Sequence, residues 1–348
     1  MTIASPLRTL MGRVADGLPL DEAQAETVFD LLMAGEATPA QMGALLMGLR
    51  VRGETVEEIT GAARAMRAKA TKITAPENAM DIVGTGGDAA GTYNVSTGTA
   101  LVVAACGVPV AKHGNRAASS KSGSADVLAS LGLNLDAPMP VVERAIQDAG
   151  IGFMFAQRHH SAMKHVAPVR GELGIRTIFN LLGPLSNPAG VKRELMGVFS
   201  LAWIEPLAHV LGRLGLERAW VVHGADGLDE VTTTDVTHVA AWDGERVQTF
   251  TVSPEDAGLP RARPEDLKGG TPDENADVIR AMLDGATGPY RDIVLMNAAA
   301  SLIVAGQVPD LKAGAARAAE AIDSGAARAV LAKLVAITHE PPIEDTEA

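Results

Sequence analysis

The sequence predicts an α/β protein in which a small N-terminal helical bundle precedes a larger domain, built on a mostly parallel sheet flanked by helices. Three observations lead to this prediction. The first 70 or so residues carry apolar side chains at helical spacing only. After Pro76, apolar runs of strand length alternate with helical stretches. Loops rich in glycine and serine follow the first two of these runs, and such loops commonly carry binding residues.

The N-terminal helices have recognisable beginnings. A helix is expected over 21–33, and two more begin at capping-box sequences, TPAQ at 38–41 and TVEE at 55–58. Proline at the first helical position supports the first of these two. Apolar residues at helical spacing follow each box, and they are Met42, Leu45, Leu46 and Leu49 in one helix and Ile59, Ala62, Ala63 and Met66 in the other. The bundle is expected to end near Ala70.

The second domain is expected to contain strands at 80–83, 108–111, 152–155, 195–199 and 220–222, and a hairpin formed by 238–242 and 247–252 around Asp243-Gly244. Because helical stretches separate the first five strands, we expect them to be parallel. Alanine-rich helices over 292–305, 311–324 and 326–337 are expected to pack on the sheet, and the residues from Pro341 onward to form a tail.

A glycine loop follows the first predicted strand. It reads GTGGD at 84–88, and the polar cluster NVSTGT at 94–99 then opens a helix. Glycine lets the backbone approach a ligand closely, and the free N–H groups of a first helical turn attract anions. The loop matches neither the P-loop nor the dinucleotide-binding fingerprint. Because an ordinary tight turn has the same composition, the loop alone is weak evidence for a phosphate site.

A second loop strengthens that interpretation. Residues 112–124 contain three cations, one histidine and four serines, and a helix stopped by Gly132 follows them. Cationic side chains, hydroxyls and backbone amides together bind phosphate oxygens. A solvated serine-rich linker is the alternative, but a linker would not separate two elements of one α/β unit. Two such loops at the same end of a sheet predict a ligand with two separated phosphate groups.

Five segments, in this order, resemble the signature sequences of the anthranilate phosphoribosyltransferase family. They are GTGGD, NVSTGTA, KHGNRAASSKSGSADVL, RTIFNLLGPLSNPA at 176–189 and DGLDEVTTT at 226–234. The likeness extends from about the second helix to Ala305. It departs at Ser161 and Gly171, where many relatives carry proline and arginine, beside the expected acceptor site. The family transfers a phosphoribosyl group from phosphoribosyl pyrophosphate (PRPP) to the amine of anthranilate in tryptophan biosynthesis, and releases pyrophosphate.

The resemblance implies a domain division and a PRPP site. Residues 1–75, joined by about 165–190, would form the helical domain, and residues 76–348 the catalytic domain. The residues implied to bind PRPP are Gly84, Gly87, Asp88, Thr92, Asn94, Val95, Ser96, Thr97, Lys112, His113, Gly114, Asn115, Arg116, Ala117, Ala118, Ser119, Ser120 and Ser124.

The resemblance also implies an anthranilate site. Arg170 would pair with the carboxylate, since a guanidinium can form two parallel hydrogen bonds with it. Gly84 and Asn115 would contact the amine side of the ring, and His113 and His160 would line the entry channel. Because an aromatic amine is already nucleophilic, no acid or base residue is assigned.

Asp229 and Glu230 are adjacent carboxylates after the strand 220–222. By itself such a pair is usually a solvated acidic turn. Within the family motif, however, the resemblance implies two Mg²⁺ ions, one held by Asp229 and Glu230 and the other by Glu230 and Ser96. Oxygen ligands of this kind suit Mg²⁺, which keeps several waters and binds substrate phosphates.

Composition restricts the class of protein. The chain has 348 residues, 47% of them hydrophobic, and a net charge of -12, which argues against general nucleic-acid binding. Cys106 is the only cysteine and lies in an apolar stretch, so we expect a buried thiol and no disulfide within the chain. There is no signal-peptide pattern and no apolar run of membrane-spanning length. We therefore expect a cytoplasmic protein without membrane or nucleic-acid partners.

We also expect a homodimer, as the resemblance implies. The apolar residues Leu31, Leu32, Met42 and Leu46 lie in a bundle that we expect to be too small to bury them all by itself. A symmetric contact through the helical domain would cover them.

Two other functions remain open at this point. A pyrimidine nucleoside phosphorylase of the same fold would lack the KHGNR-type loop and the Asp-Glu pair. A nucleic-acid-binding relative would carry a basic surface and a degraded acceptor site, whereas Arg170 and Asn115 are present here. Pyrophosphate release from PRPP, with and without anthranilate, would separate the three functions.

Overall fold

The computed structural model describes residues 6–88, 90–117 and 121–341. The N-terminal bundle consists of α1 (Pro6–Ala15), α2 (Glu22–Ala34), α3 (Pro39–Arg52) and α4 (Val56–Lys69). The two predicted capping boxes are confirmed: Thr38 and Thr55 each accept a hydrogen bond from the backbone N–H three residues later. Asp21 starts α2 in the same way. These caps satisfy N–H groups that have no partner within the helix.

The strands are β1 (Met80–Gly84), β2 (Val110–Gly114), β3 (Ile151–Phe155), β4 (Arg193–Gly197), β5 (Arg218–Gly224), β6 (Thr237–Trp242) and β7 (Val247–Val252). Through the described part of the chain they form one sheet in the order β3-β2-β1-β4-β5-β6-β7. The pairs from β3 to β5 are parallel, and β6 and β7 add an antiparallel edge. The predicted mostly parallel sheet is confirmed.

The other helices cover the sheet. They are α5 (Val95–Ala105), α6 (Ser124–Ser130), α7 (Met139–Asp148), α8 (Ala156–His159), α9 (Ala167–Leu173), α10 (Phe179–Leu182), α11 (Ile204–Arg213), α12 (Pro272–Leu283), α13 (Pro289–Val304), α14 (Leu311–Asp323) and α15 (Ala326–Thr338). Short 3₁₀ helices lie at Ser161–His165, Pro184–Ser186, Leu201–Trp203, Pro254–Ala257 and Pro264–Leu267. Among the described helices, none combines the length and the apolar character that a membrane span requires. Most of the predicted tail, 342–348, lies outside the described residues.

Two strands are displaced from their predicted positions. β2 begins at Val110, later than the predicted 108, because Pro109 has no N–H for the ladder; its carbonyl oxygen accepts from Met80 N at 2.9 Å. β4 covers 193–197 rather than 195–199. Its polar first residues hid the start of the strand, and at its end Phe199 has left the ladder, with its N–H bonded to the Thr85 hydroxyl at 3.1 Å.

Two apolar cores lie on opposite faces of the sheet. One contains Leu195 and the helices α5, α13, α14 and α15. The other contains the next residue of the same strand, Met196, together with the bundle, α11 and Phe179 of α10. Successive side chains of a strand point to opposite faces, so the bundle packs directly on one face of the sheet.

The apolar residues expected to cover a dimer contact are not exposed. Leu32, Met42 and Leu46 are buried within the monomer, and Leu31 is partly buried against the same core. The prediction was wrong on this point because the sheet face and α11 enlarge the core that the bundle shares. Among the described residues of the N-terminal bundle, three other large apolar side chains are exposed instead, and they are Leu18, Met47 and Val51.

A buried carboxyl lies between the bundle and the sheet. Glu194 is fully buried, and neither of its carboxyl oxygens has a hydrogen-bond partner among the described residues. It is the register partner of Asp81, which is also fully buried. Burial, and secondarily the negative Asp81, hold the pKa of Glu194 well above its usual range, and Arg67 opposes this only in part. Burial therefore favours the neutral form of Glu194.

This predicts a pH-dependent effect of Glu194→Gln on stability. Because the pKa of Glu194 is higher in the folded state, the unfolded chain ionises first as pH rises. Wild type therefore loses stability once the pH exceeds the pKa of Glu194 in the unfolded chain, about 4.5. The variant lacks this titration. In urea unfolding, its free energy of unfolding relative to wild type should therefore increase as pH rises above about 4.5.

Glu205→Gln, on the exposed side of α11, is the control. Its free energy of unfolding is measured over the same pH range and shows the effect of changing an exposed carboxyl to an amide. A difference between Glu194→Gln and wild type that does not change with pH would contradict a raised pKa for Glu194.

Candidate active site

The candidate site lies at the carboxyl ends of β1, β2, β4 and β5. β1 and β4 are neighbours, but the chain proceeds from β1 to β2 on one side and from β4 to β5 on the other. Open parallel sheets bind ligands at such a switch point, because the loops on its two sides diverge and leave a crevice. Each of the four strands ends in glycine, and these are Gly84, Gly114, Gly197 and Gly224.

Asp229 occupies the centre of this edge. A Cβ atom at Gly84 would lie 2.5 Å from its carboxylate oxygen Oδ2, and one at Gly197 would overlap its backbone carbonyl oxygen. Gly84 and Gly197 are register partners on β1 and β4. The N–H of Gly86 donates to Oδ2 of Asp229 at 2.6 Å. The loop after β5 therefore crosses directly over the ends of β1 and β4, and only strands without side chains there permit this approach.

Three carboxylates meet at this point. Burial, followed by the nearby Asp88 with which it shares a hydrogen bond, raises the pKa of Asp229 to about 7. Burial and the charge of Asp229 hold the pKa of Glu230 well above its usual range, and Lys112 opposes the shift. Behind this loop, Asn297 of α13 accepts from Val231 N at 2.9 Å and donates to Val231 O at 2.8 Å. The carboxylates are thus fixed close together with too little positive charge nearby.

Cationic and N–H groups face the carboxylates. Lys112 is almost completely buried, and its Nζ donates to Ile82 O at 2.6 Å and to Ser96 Oγ at 3.2 Å. Burial lowers the pKa of Lys112, whereas Asp81 and Glu230 raise it. The N–H of Ser96, in the first turn of α5, donates to Glu230. The positive end of α5 and a buried ammonium therefore point toward the acidic cluster.

The remaining predicted PRPP residues lie on the same two loops. Val95 and Thr97 are buried in the first turn of α5, and Thr92 pairs with Lys268. Asp126 organises the second loop: it accepts from Ala117 N at 2.9 Å and Gly123 N at 3.0 Å and pairs with Arg116 at 2.9 Å. Within the same loop, Ser124 Oγ donates to Asn115 O at 3.3 Å, and Gly114 ends β2. Ala118, Ser119 and Ser120 lie outside the described residues.

The two histidines form a buried pair. The Nε2 atoms of His113 and His160 are 3.2 Å apart, and their rings meet edge to face at 5.0 Å between centroids. Burial is the main reason that both pKa values are lowered, to about 4 for His160 and well below the usual range for His113. Both rings are neutral at neutral pH.

Arg170 of α9 has an unusual environment for a guanidinium. It lies over the ring of Phe179 at 5.5 Å and forms no side-chain hydrogen bond or ion pair with any described residue. Burial lowers its pKa. It forms no hydrogen bond with the other predicted site residues that the structure describes. A half-buried guanidinium without a counter-ion is a binding group for an anion.

Sequence reasoning missed Arg176, which is nevertheless part of a signature segment. Its guanidinium donates to the carbonyl oxygen of Gly87 and stacks on Phe199 at 4.4 Å. It therefore links the segment that carries Arg170 to the glycine loop. The signal available in the sequence was only its presence within the motif at 176–189.

Comparison with known proteins agrees with this geometry. The family model described as the glycosyl transferase family, a/b domain, matches residues 76–328, and its helical bundle domain matches residues 8–70. An anthranilate phosphoribosyltransferase of Rhodospirillum rubrum is 67% identical over 98% of each chain. The chain belongs to the anthranilate phosphoribosyltransferase family. An anthranilate phosphoribosyltransferase of Parvibaculum lavamentivorans is 63% identical, with 95% of this chain and 97% of that one covered.

Solved structures extend the likeness to three dimensions. The anthranilate phosphoribosyltransferase of Thermus thermophilus is 47% identical, with a TM-score of 0.91 and coverage of 95% and 99% of the two chains. The Saccharomyces cerevisiae enzyme in complex with PRPP and Mg is 27% identical, with a TM-score of 0.89 and coverage of 97% and 98%. The predicted family, fold class, enzyme class and reaction in tryptophan biosynthesis are confirmed.

Proposed function

We propose that this family member binds PRPP, transfers its phosphoribosyl group to anthranilate, and does both in the crevice at the ends of β1, β2, β4 and β5. One observation supports this location of the proposed site most directly. The acidic cluster around Asp229 lies against Lys112 and the N-terminus of α5, so that groups able to bind a metal and groups able to bind phosphate converge at one point. A ligand that carries both phosphates and metal ions fits such a combination.

The groups of α5 and β2 bind the negative charge of PRPP. The N–H groups that begin α5 and the loop from Lys112 to Ser124 supply hydrogen bonds and positive charge for the phosphate oxygens. As the bond between ribose C1 and pyrophosphate breaks, negative charge increases on the leaving group. Lys112 is already buried and held by Ile82 and Ser96, so it need not reorganise to stabilise that charge.

The chain's residues fit Mg²⁺. Asp229 and Glu230, both with raised pKa values, lie close to Asp88, and Ser96 adds a hydroxyl. No group of three or more His, Cys, Asp or Glu side chains within the described ranges is arranged to hold a metal unaided. That agrees with an ion bound through one or two carboxylates, waters and substrate phosphates. We propose two ions, one at Asp229 and Glu230 and one at Glu230 and Ser96; when bound, they neutralise charge on the departing pyrophosphate.

Arg170 binds the acceptor carboxylate in this proposal. Its guanidinium has no counter-ion among the described residues, and Phe179 lies against one of its faces, so its edge N–H groups remain available for a planar carboxylate. Gly84 and Asn115 face the amine side of the acceptor. The amine nitrogen forms the new bond to C1 as pyrophosphate leaves, and the proton released from nitrogen passes to solvent. The neutral pair His113 and His160 lines the approach.

The direct test is pyrophosphate release by the purified protein. Release from PRPP and Mg²⁺ should require anthranilate, with one phosphoribosylanthranilate formed for each pyrophosphate. Release that needs no acceptor, or phosphorolysis of a pyrimidine nucleoside, would contradict the assignment.

Arg170→Ala should raise the KM for anthranilate and leave PRPP binding nearly intact. Loss of the charged bond should cost about 2–4 kcal/mol in kcat/KM, because the carboxylate loses its partner. Arg170→Lys should retain only part of the wild-type kcat/KM, since an ammonium lacks the planar pair of N–H donors that a guanidinium offers. Steady-state kinetics with each substrate varied tests this, with the exposed Lys164→Ala as control. An equal loss for both substrates would count against the assignment.

Asp229→Asn and Glu230→Gln should leave the fold intact or slightly more stable, because each relieves repulsion between neighbouring carboxylates. Activity should nevertheless fall about a hundredfold or more. High Mg²⁺ should restore part of it in Asp229→Asn and less in Glu230→Gln, because Glu230 faces both proposed ions. Kinetics across a Mg²⁺ titration, with thermal melts, checks this. Normal kcat and unchanged Mg²⁺ dependence would indicate a solvated acidic turn.

We further propose a cytoplasmic homodimer with the domain division near residue 75. The exposed residues Met47 (37%) and Val51 (79%) lie one helical turn apart on α3, with Ala44 on the same exposed stripe. Leu18 is also exposed, at 47%. An apolar stripe on one helix can be covered by the same stripe of a second copy around a two-fold axis.

Met47→Glu combined with Val51→Glu should therefore convert the dimer to a monomer in light scattering at micromolar concentration. Phe250→Glu, at an exposed apolar position on the edge strand β7, is the matched control and should not change the mass. A monomeric wild type, or a dimer that survives both α3 substitutions, would refute the proposed contact.

A further inference from the structure

A segment outside every signature sequence packs on the start of α5. After the hairpin β6–β7, the chain returns through residues 267–275 and runs alongside residues 91–94. Tyr93 N donates to Leu267 O at 3.1 Å, and Gly269 N donates to Gly91 O at 2.9 Å. Thr92 and Lys268 form an antiparallel bridge between these bonds. We call residues 267–270 the strap.

The contact between the strap and the turn is too close for a side chain. A Cβ atom at Gly269 would lie 2.5 Å from Thr92 O, 2.7 Å from Thr92 C and 2.8 Å from Tyr93 N. All three are backbone atoms, so no side-chain movement would make room. The strap is therefore pressed against the backbone of the turn that leads into α5.

Asn275 of α12 joins the strap to the turn. It is 1% exposed, and both ends of its amide are used. Its Oδ1 accepts from Gly270 N at 2.8 Å, and its Nδ2 donates to Asn94 Oδ1 at 2.9 Å. Loss of either bond would leave a buried polar group without a partner, which usually costs more than the bond contributes.

Asn94 in turn connects the two phosphate loops. Its Nδ2 donates to Ser122 O at 3.1 Å, and its Oδ1 accepts from Ser122 Oγ at 3.0 Å. Its own carbonyl oxygen accepts from the Tyr290 hydroxyl at 3.2 Å. Asn94 directly precedes α5. The orientation of its side chain therefore determines how the start of α5 lies relative to the loop after β2.

We infer that Asn275, supported by the strap, is a positioning residue for PRPP: it holds Asn94 so that the N–H groups of α5 and the loop after β2 face one diphosphate. Asn275 acts through Asn94 and Gly270. A site made of backbone N–H groups binds an anion well only when those groups are oriented in advance. The inference rests on the PRPP site proposed above.

Asn275→Asp tests the hydrogen bond from Asn275 to Asn94 separately from the bond to Gly270. The aspartate keeps the acceptor for Gly270 N, loses the donor to Asn94 and places negative charge beside the Asn94 oxygen. We expect the Kd and KM for PRPP to rise about tenfold or more, while the KM for anthranilate stays within about twofold. Asn275→Ala, which loses both bonds, should shift PRPP binding in the same direction. PRPP binding is measured by calorimetry without anthranilate, and Tm is measured in parallel.

Asn134 offers a matched control. It is a partly buried asparagine that bonds Thr338 and Asp136 on another side of the molecule. Asn134→Asp should lower Tm without a change in PRPP affinity. If Asn275→Asp also lowered only Tm, the residue would be merely structural and the inference would be overturned.

Ser96→Ala separates this inference from the site proposal. Weakened PRPP binding in Ser96→Ala but not in Asn275→Asp would overturn the inference alone, whereas normal binding in both would overturn the proposed site as well.

Hydrogen exchange on the wild-type protein is a second test, and it does not depend on whether a variant folds. PRPP should slow amide exchange in 267–275 as well as in 91–97, and unchanged exchange in 267–275 would contradict the positioning role.

Discussion

The close approach of Asp229 to the ends of β1 and β4 is the constraint on which the site depends. It is possible because Gly84 and Gly197 are paired across the two strands and neither carries a side chain. With the loop after β5 placed there, its carboxylates reach the glycine loop on one side and Lys112 with the α5 N-terminus on the other. A methyl group at Gly197 would overlap the backbone of Asp229 and move the loop, because interiors packed at this density cannot absorb the added volume. A methyl group at Gly84 would displace the Asp229 carboxylate.

This packing also places buried carboxyl groups close together. Asp229 and Glu230 have raised pKa values at the mouth of the crevice, and Asp81 and Glu194 are buried beneath the bundle. Asp81 is compensated: burial raises its pKa to about 6, but Asn187, Ile82 N and His113 N all donate to it and Lys112 lies near. Asp229 and Glu230 are compensated less: Gly86 N donates to Asp229, and Ser96 N donates to Glu230 near Lys112. Excess negative charge is therefore concentrated where a divalent cation and a phosphate ligand can relieve it, which is how binding sites commonly differ from the rest of a fold.

Local patterns in the chain predicted much of this molecule. Capping boxes at Thr38 and Thr55, the alternation of strands and helices, and the glycine and serine loops depend on neighbouring residues and are visible in order along the sequence. The start of β4 and the burial of Met42 and Leu46 were predicted wrongly, because both depend on packing against distant elements. Asn275 and Asn297 support the site loops from 181 and 66 residues away in the chain. Single buried asparagines have no pattern that distinguishes them before the fold brings them to their partners.

PRPP titration of Gly197→Ala in the presence of Mg²⁺ is the most direct test of the central claim. Gly197 is not among the residues proposed to touch a ligand, yet a Cβ atom there would overlap the backbone of Asp229. The account predicts a folded protein of lowered Tm whose Mg²⁺-dependent PRPP affinity falls at least about tenfold. Gly43→Ala, at a helical position with open space around it, should retain wild-type affinity. Wild-type affinity in a folded Gly197→Ala protein would show that the position of Asp229 over the strand ends does not determine binding.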